Sequence, residues 1–262
     1  MFRWDSATLT PALSACRHGQ GRLVGQMEAL GFPLRQEGVL QTLTDDVVKS
    51  GEIEGESLDA NQVRSSIARR LGMDVAGVVT ANRHVEGVVE MMLDATHHYD
   101  QPLTVERLFA WHASLFPTGR SGMRKVRVGA WRNDSTGPMH VGSGPIGRER
   151  VHYEGPAASR LEQAMKAFLD WFEAAGADHD PVLKAGLAHL WFVTIHPFDD
   201  GNGRIARAIA DLALARSERS AQRFYSMSSQ IRQERAAYYD ILERTQSPPW
   251  MSRPGWSGSS SG

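Results

Sequence analysis

The stretch TIHPFDDGNGRIAR, residues 194–207, constrains this chain more than any other part of it. Apolar helical patterns flank it on both sides, DPVLKAGLAHLWFVTIH before and NGRIARAIADLALARSE after. Pro181 following Asp180 suits a helix start, because proline lacks an N–H that the first turn would leave unpaired anyway. The helix is expected to end at His196, where Pro197 stops it. Phe198 reads as a core anchor, and DGNG turns the chain into the next helix. The loop is therefore held between two packed helices, and its polar residues are concentrated at one place.

Helical patterning dominates elsewhere too. TPALSACRHGQGRLVGQMEALGF carries Leu13, Leu23, Met27 and Leu30 at helical spacings and stops at Gly31 and Pro33. DDVVKSGEIEGESLD follows, with Asp45 and Asp46 suited to an N-cap or first turn. AGVVTANRHVEGVVEMMLDATHHY reads as one long helix with Val78, Val85, Val89, Met92 and Leu93 to one side. Thr104 is placed to cap VERLFAWHASLF. From Thr118 to Pro156 the sequence turns rich in Gly and Pro, with β-prone pieces at 125–131, 139–142 and 148–153, which points to a hairpin between helices. Helical pattern returns with Leu161, Met165, Phe168, Leu169 and Phe172, and SSQIRQERAAYYDILERT reads as a last helix. The tail, 247–262, is rich in Pro, Gly and Ser and is expected to be disordered or a remnant. The fold class is mainly α, with one small β insertion.

A chain of 262 residues has room for one large domain, or a domain with an appendage. The formal net charge of −1 gives no sign of a phosphate-backbone binder. The single cysteine, Cys16, excludes an internal disulfide framework and suits a reducing compartment. With neither a signal-peptide pattern nor a membrane span, a cytoplasmic location and no membrane partner are expected.

Chemically, DGNGR opens a helix. Gly201 and Gly203 let backbone approach a ligand closely, and the free N–H groups of the first turn form an anion site. Arg204 and Arg207, three apart, reach toward the same anion. Asp200 is a hard oxygen ligand suited to Mg²⁺, which binds through one or two carboxylates plus phosphate oxygens. His196 titrates near neutrality and suits a general base. Together these parts describe phosphoryl or nucleotidyl transfer. Other histidines carry less. His97 and His98 are adjacent and diverge on a helix; His84, His112, His140 and His189 lack partners at metal-ligand spacing and read as structural; His179 reads as solvated. RKVR at 124–127 reads as a solvated strand edge, not a nucleic-acid patch.

HPFDDGNGRIAR matches, at every position, the pattern His-x-Phe-x-(Asp/Glu)-Gly-Asn-Gly-Arg-x-x-Arg, and so resembles the signature of the Fic family. The likeness extends from about Gln101 to Thr245, and the amino-terminal portion is similar to the leader of one bacterial branch. It implies a Fic-type helical bundle with a β-hairpin flap. The implied layout is an amino-terminal helical region at 1–100 with an inhibitory helix at about 45–57, a catalytic core at 101–246 and the tail at 247–262. It also implies transfer of AMP from ATP to a Ser, Thr or Tyr hydroxyl of a target protein. On this resemblance His196 deprotonates the hydroxyl, and Asp200 holds Mg²⁺ on the α- and β-phosphates. Gly201, Asn202 and Gly203 cradle phosphate, while Arg204 and Arg207 grip the outer phosphates. The hairpin around Thr136–Pro145 would align the target by strand addition. Tyr238 and Tyr239 fall where the family often supports adenine, although paired helical tyrosines are more often core and rim.

SGEIEG, Ser50 to Gly55, resembles the family's inhibitory pattern (Ser/Thr)-x-x-x-Glu-(Gly/Asn). Ser50 and Glu54 are four apart, so a helix presents both on one side. The resemblance implies that Glu54 takes Arg207 from the γ-phosphate and that Glu54→Gly raises AMP transfer. Without it, Glu52, Glu54 and Glu56 would simply face water. Two alternatives stay open: removal of AMP with Glu54 activating water, and a nucleotide-binding regulatory module without turnover. Divergent relatives transfer UMP, phosphate or phosphocholine, against which the unmodified motif argues. Relatives of this branch often continue into a DNA-binding winged helix, for which this tail is too short; no nucleic-acid partner is expected within the chain. A homodimer is an expectation from the family.

Overall fold

The computed structural model describes residues 5–135, 137–143, 150–174 and 180–246. The expectations for His179, for the tail 247–262, and for Thr136 and 144–145 of the hairpin lie outside those residues. Ten α-helices and two small antiparallel hairpins appear among the described residues, a mainly α fold as the sequence reading expected. In order these are α1 (Ser6–Glu28), α2 (Phe32–Ile53), α3 (Ala60–Arg70), α4 (Arg83–His97), α5 (Val105–Leu115), β1 (Arg120–Ser121) and β2 (Arg124–Lys125). There follow β3 (His140–Ser143), β4 (Arg150–Glu154), α6 (Leu161–Glu173), α7 (Pro181–Ile195), α8 (Asn202–Glu218), α9 (Met227–Gln233) and α10 (Arg235–Gln246).

Helix α8 is the centre. Nearly every residue from Asn202 to Ala215 is buried, and Ala206, Ala208, Ala210, Ala213 and Ala215 let neighbouring helices approach closely. Helices α2, α4, α5, α7 and α9 all pack against it. One continuous core joins Leu40, Leu43 and Val47 of α2 to Phe168, Phe192, Phe198 and Ile209, so α2 shares the core of the later helices.

Caps act where the sequence places them. Thr104 Oγ1 accepts from Arg107 N at 3.2 Å, and Asp180 Oδ1 accepts from Val182 N at 2.8 Å with Pro181 in the first turn. Other boundaries differ from the reading. The first helix does stop before Gly31, but Pro33 also opens α2, because proline is tolerated in a first turn, so α2 starts well before Asp45. Asp45 and Asp46 are consequently mid-helix, not at an N-terminus. Asp46 is buried there because its Oδ1 accepts from Ser226 Oγ at 2.5 Å and Ser228 N at 3.1 Å. The segment expected as a separate inhibitory helix is the end of the 22-residue α2 and the turn after it. Helix α4 begins only after its cap Asn82, leaving Val78 outside it and 59% exposed. Helix α1 buries no side chain, so its apolar stripe is thinner than the spacing implied; Arg17 to Asp180 (3.2 Å) and Gln20 to Tyr225 (3.0 Å) tether it. The expected last helix divides at Glu234 into α9 and α10. Strand structure within 125–131 is confined to Lys125, the last residue of β2.

Candidate active site

His196 is the carboxy-terminal cap of α7, in the left-handed conformation (φ 50°, ψ 59°). Pro197 disfavours a right-handed conformation at the residue before it, and a β-carbon makes the left-handed one costly, so the position needs external support. Arg132 supplies it: its Nε donates to His196 O at 2.8 Å and its backbone N to Pro197 O at 2.9 Å. The His196 Nδ1 lies 3.2 Å from Val193 O, a partner that orients the ring. Burial pushes its imidazole down to about 4, so the ring is neutral at physiological pH.

Phe198 is fully buried, stacked on His112 at 4.2 Å between ring centroids with Trp131 at 5.0 Å. Asn202 closes the loop on it: Phe198 N donates to Asn202 Oδ1 at 3.0 Å, and Asn202 Nδ2 donates to Phe198 O at 2.8 Å. The Asn202 side chain is thus committed to the loop, and only its backbone N–H remains for a ligand. Gly201 (φ 80°) has the conformation that favours glycine, and a β-carbon there would lie 3.0 Å from Phe116. Asp200 is oriented by two bonds, from Ser121 Oγ at 2.5 Å and from Gly201 N at 2.6 Å. Asp199 Oδ2 accepts from Arg127 N at 2.9 Å, which docks the β1–β2 hairpin on the same loop.

Both motif arginines are buried, and both meet carboxylates from the turn after α2. Arg207 Nε donates to Ser50 Oγ at 2.9 Å, and its Nη2 donates to Ser50 O at 3.1 Å and Glu54 Oε1 at 2.8 Å. Arg204 Nη1 donates to Glu56 Oε2 at 2.7 Å, and its guanidinium lies over the Phe116 ring at 5.2 Å. Two nitrogens, Arg204 Nε and Arg207 Nη1, are buried without a partner among the described residues. Buried donors are ordinarily paired, and these two are suited to an anion. Gly203 has no side chain in the way. A β-carbon there would lie 2.2 Å from Glu54 Oε1, so the Glu54 carboxylate sits directly on the first turn of α8. That is where a helix start binds negative charge.

Residues 102–214 match the model of the Fic/DOC family, and residues 1–73 match a domain of unknown function (DUF4172). Residues 102–214 are a Fic-family domain. Among similar proteins is the "Protein adenylyltransferase Fic" of Drosophila willistoni, 26% identical over 201 residues, covering 73% of this chain and 34% of that one. A protein of the same description from Nematostella vectensis is 43% identical over 63 residues, covering 24% of this chain and 15% of that one. The chain thus spans about a third or less of the length of these two curated relatives. A solved Fic family protein from Desulfovibrio desulfuricans G20 superposes with a TM-score of 0.61 at 24% identity, covering 90% of this chain and 66% of that chain. This last likeness concerns the fold.

In the Fic domain and the helices before it, the structure brings Ser50, Glu54, His196, Asp200, Gly201, Asn202, Gly203, Arg204 and Arg207 to one end of α8. Tyr238 and Tyr239 of α10 stand beside them. The Tyr238 hydroxyl lies 3.2 Å from His189 Nε2, and burial raises its pKa; Tyr239 is 39% exposed at the rim, with Arg235 5.4 Å from its ring. Three residues of the site escaped the sequence reading. Arg132 and Ser121 have no local signal beyond being polar in a Gly-rich stretch, while Glu56 has no role in the inhibitory pattern that singles out Ser50 and Glu54. Among the described residues no group of three His, Cys, Asp or Glu is placed to hold a metal, and no helix is long and apolar enough to cross a membrane.

Proposed function

We propose that this protein transfers AMP from ATP to a hydroxyl side chain of a target protein and is held in check by Glu54. The observation that carries the reading is the Glu54 carboxylate on the first turn of α8, paired with Arg207. A carboxylate stands where a phosphate would be bound, so the anion site and its blockade are described by the same atoms.

The neutral His196 accepts the proton of the incoming Ser, Thr or Tyr hydroxyl as that oxygen attacks the α-phosphorus and pyrophosphate leaves. The α8 N–H groups bind phosphate oxygens, and Arg204 and Arg207 neutralise the outer phosphates with their unpaired nitrogens. The donor set also fits Mg²⁺: one oriented carboxylate, Asp200, with phosphate oxygens and water completing the shell. Bound there, Mg²⁺ would neutralise charge on the α- and β-phosphates. Hairpin β3–β4, anchored by Tyr153 Oη donating to Thr194 O at 2.7 Å, offers an edge for target backbone. Tyr238 and Tyr239, beside the site, would support the adenine.

A second reading, removal of AMP with Glu54 activating water, is favoured by one feature: Glu54 Oε2 makes no hydrogen bond among the described residues, while Oε1 holds Arg207. Incubating an AMP-modified target with the parent protein and no ATP separates the two. Transfer itself is tested with α-labelled ATP and cell lysate: Glu54→Gly should label proteins strongly and the parent weakly. Equal labelling by both rejects autoinhibition.

A further inference from the structure

Both arginines of the site are captured, not one. Helix α2 ends in a Schellman turn: Glu56 N donates to Gly51 O at 3.0 Å and Gly55 N to Glu52 O at 3.2 Å. Gly55 takes the left-handed conformation (φ 81°) that this turn requires. The reversal at Gly55 brings the side chains of Glu54 and Glu56 to the same neighbour, the start of α8. Glu54 takes Arg207, whose side chain is 1% exposed, and Glu56 takes Arg204, also 1% exposed. Glu56 is further tied to α4 by His84 Nε2, 3.1 Å from the same oxygen. Its hydrogen bond to His84 and the nearby Arg204 charge outweigh desolvation and hold its carboxyl below the usual range, so it is ionised.

We infer that Glu56 is a second inhibitory group, which occupies Arg204 as Glu54 occupies Arg207, so that a triphosphate gains the full site only when both carboxylates withdraw. The inference rests on the proposed ATP site. Its physical content is charge and geometry. Two carboxylates on one turn place two negative charges over the anion-binding end of α8, and each repels a phosphate approaching the same donors. The Glu56 pair uses Arg204 Nη1, while Nε is buried and unpaired; the guanidinium therefore faces phosphate with its fork half taken. Because Glu54 and Glu56 belong to one capped turn, moving the end of α2 releases both together, whereas removing Glu54 alone leaves Arg204 occupied.

The test compares the parent, Glu54→Gly, Glu56→Gln and the double variant for Mg·ATP affinity by calorimetric titration and for AMP transfer from α-labelled ATP. Urea melts establish that each is folded, and His84→Phe, which removes one anchor of Glu56 without touching its charge, is a milder second perturbation. The double variant should bind ATP at least tenfold more tightly than Glu54→Gly and transfer faster. His84→Phe should tighten binding by a smaller factor than Glu56→Gln. Unchanged affinity in Glu56→Gln and in the double variant overturns the inference while leaving transfer by Glu54→Gly intact. Weaker binding in the double variant than in Glu54→Gly also overturns it, and makes Glu56 a positioning residue for Arg204. Affinities in the expected order with no transfer by any protein would uphold the latch and reject the adenylyl-transfer reading.

Discussion

Replacing Glu54 by Ala removes one charge-assisted bond from a guanidinium that has almost no access to water. In the parent, Arg207 is held by Ser50 Oγ, Ser50 O and Glu54 Oε1 at 2.9, 3.1 and 2.8 Å. Without Glu54, Nη2 keeps only Ser50 O, beside an Nη1 that is already buried and unpaired. A hydrogen bond to a charged group is worth about 1.5–3 kcal/mol. The Glu54 side chain is 29% exposed, so solvent screening puts the loss at the lower end, about 1.5 kcal/mol. In a chain of this size that lowers Tm by about 3–6 °C. The same vacancy favours ATP, whose phosphates return negative charge to Arg207. A ligand present at a hundredfold over its Kd stabilises by about 2.7 kcal/mol, so tighter binding appears directly as a larger shift in Tm. Differential scanning calorimetry of parent and Glu54→Ala, each with and without Mg·ATP, reads both effects. The variant should melt lower alone and gain more from the nucleotide. A variant that melts with the parent and shifts equally with ATP would refute the pairing argument.

Three further outcomes follow from the site and its surroundings. Because burial pushes His196 down to about 4, transfer by Glu54→Gly should be level between about pH 6 and pH 8. His196→Ala should lower it by about 100-fold or more with ATP binding retained, whereas a rate rising tenfold per pH unit across that range would exclude the buried imidazole as base. Burial also depresses His112 to about 4, so its contribution to stability is complete above the unfolded value of about 6.5 and is lost as pH falls toward 4. Urea midpoints should decline over that window, and His112→Gln should flatten the decline; an unchanged slope would remove His112 from the account. Phe198→Ala should cost about 3–5 kcal/mol in urea unfolding, since the ring is fully buried among Phe109, His112, Trp131 and Phe192. A loss below about 1 kcal/mol would show that the loop is anchored elsewhere.

The helices around the motif were legible because their signals are local. Asp180 with Pro181, Thr104, and the turn residues of 199–203 act within a few residues of themselves, and Gly201 adopts the left-handed conformation a turn residue of that kind permits. What was not legible depends on distant partners. Asp46 resembles a helix start until Ser226 and Ser228 appear beside it, 180 and 182 residues away in sequence. Glu56 resembles a solvated charge until Arg204 meets it across 148 residues. Arg132 holds the backbone of His196 from 64 residues upstream, and no spacing pattern announces such a contact. The Asn202 side chain bonds the backbone of Phe198, a use of Asn that only the folded loop reveals and that leaves its backbone N–H at the expected phosphate cradle. Helix α3 escaped because its apolar positions, chiefly Val63 and Ile67, are few, although Asp59 caps it.

The central claim is that a carboxylate from α2 stands in place of a phosphate at the start of α8. Its most direct measurement is labelling of lysate proteins from α-labelled ATP by the parent, Glu54→Gly and Glu54→Gly/His196→Ala. Weak labelling, strong labelling and none are expected, in that order. Equal labelling by the first two, or undiminished labelling by the third, would contradict it.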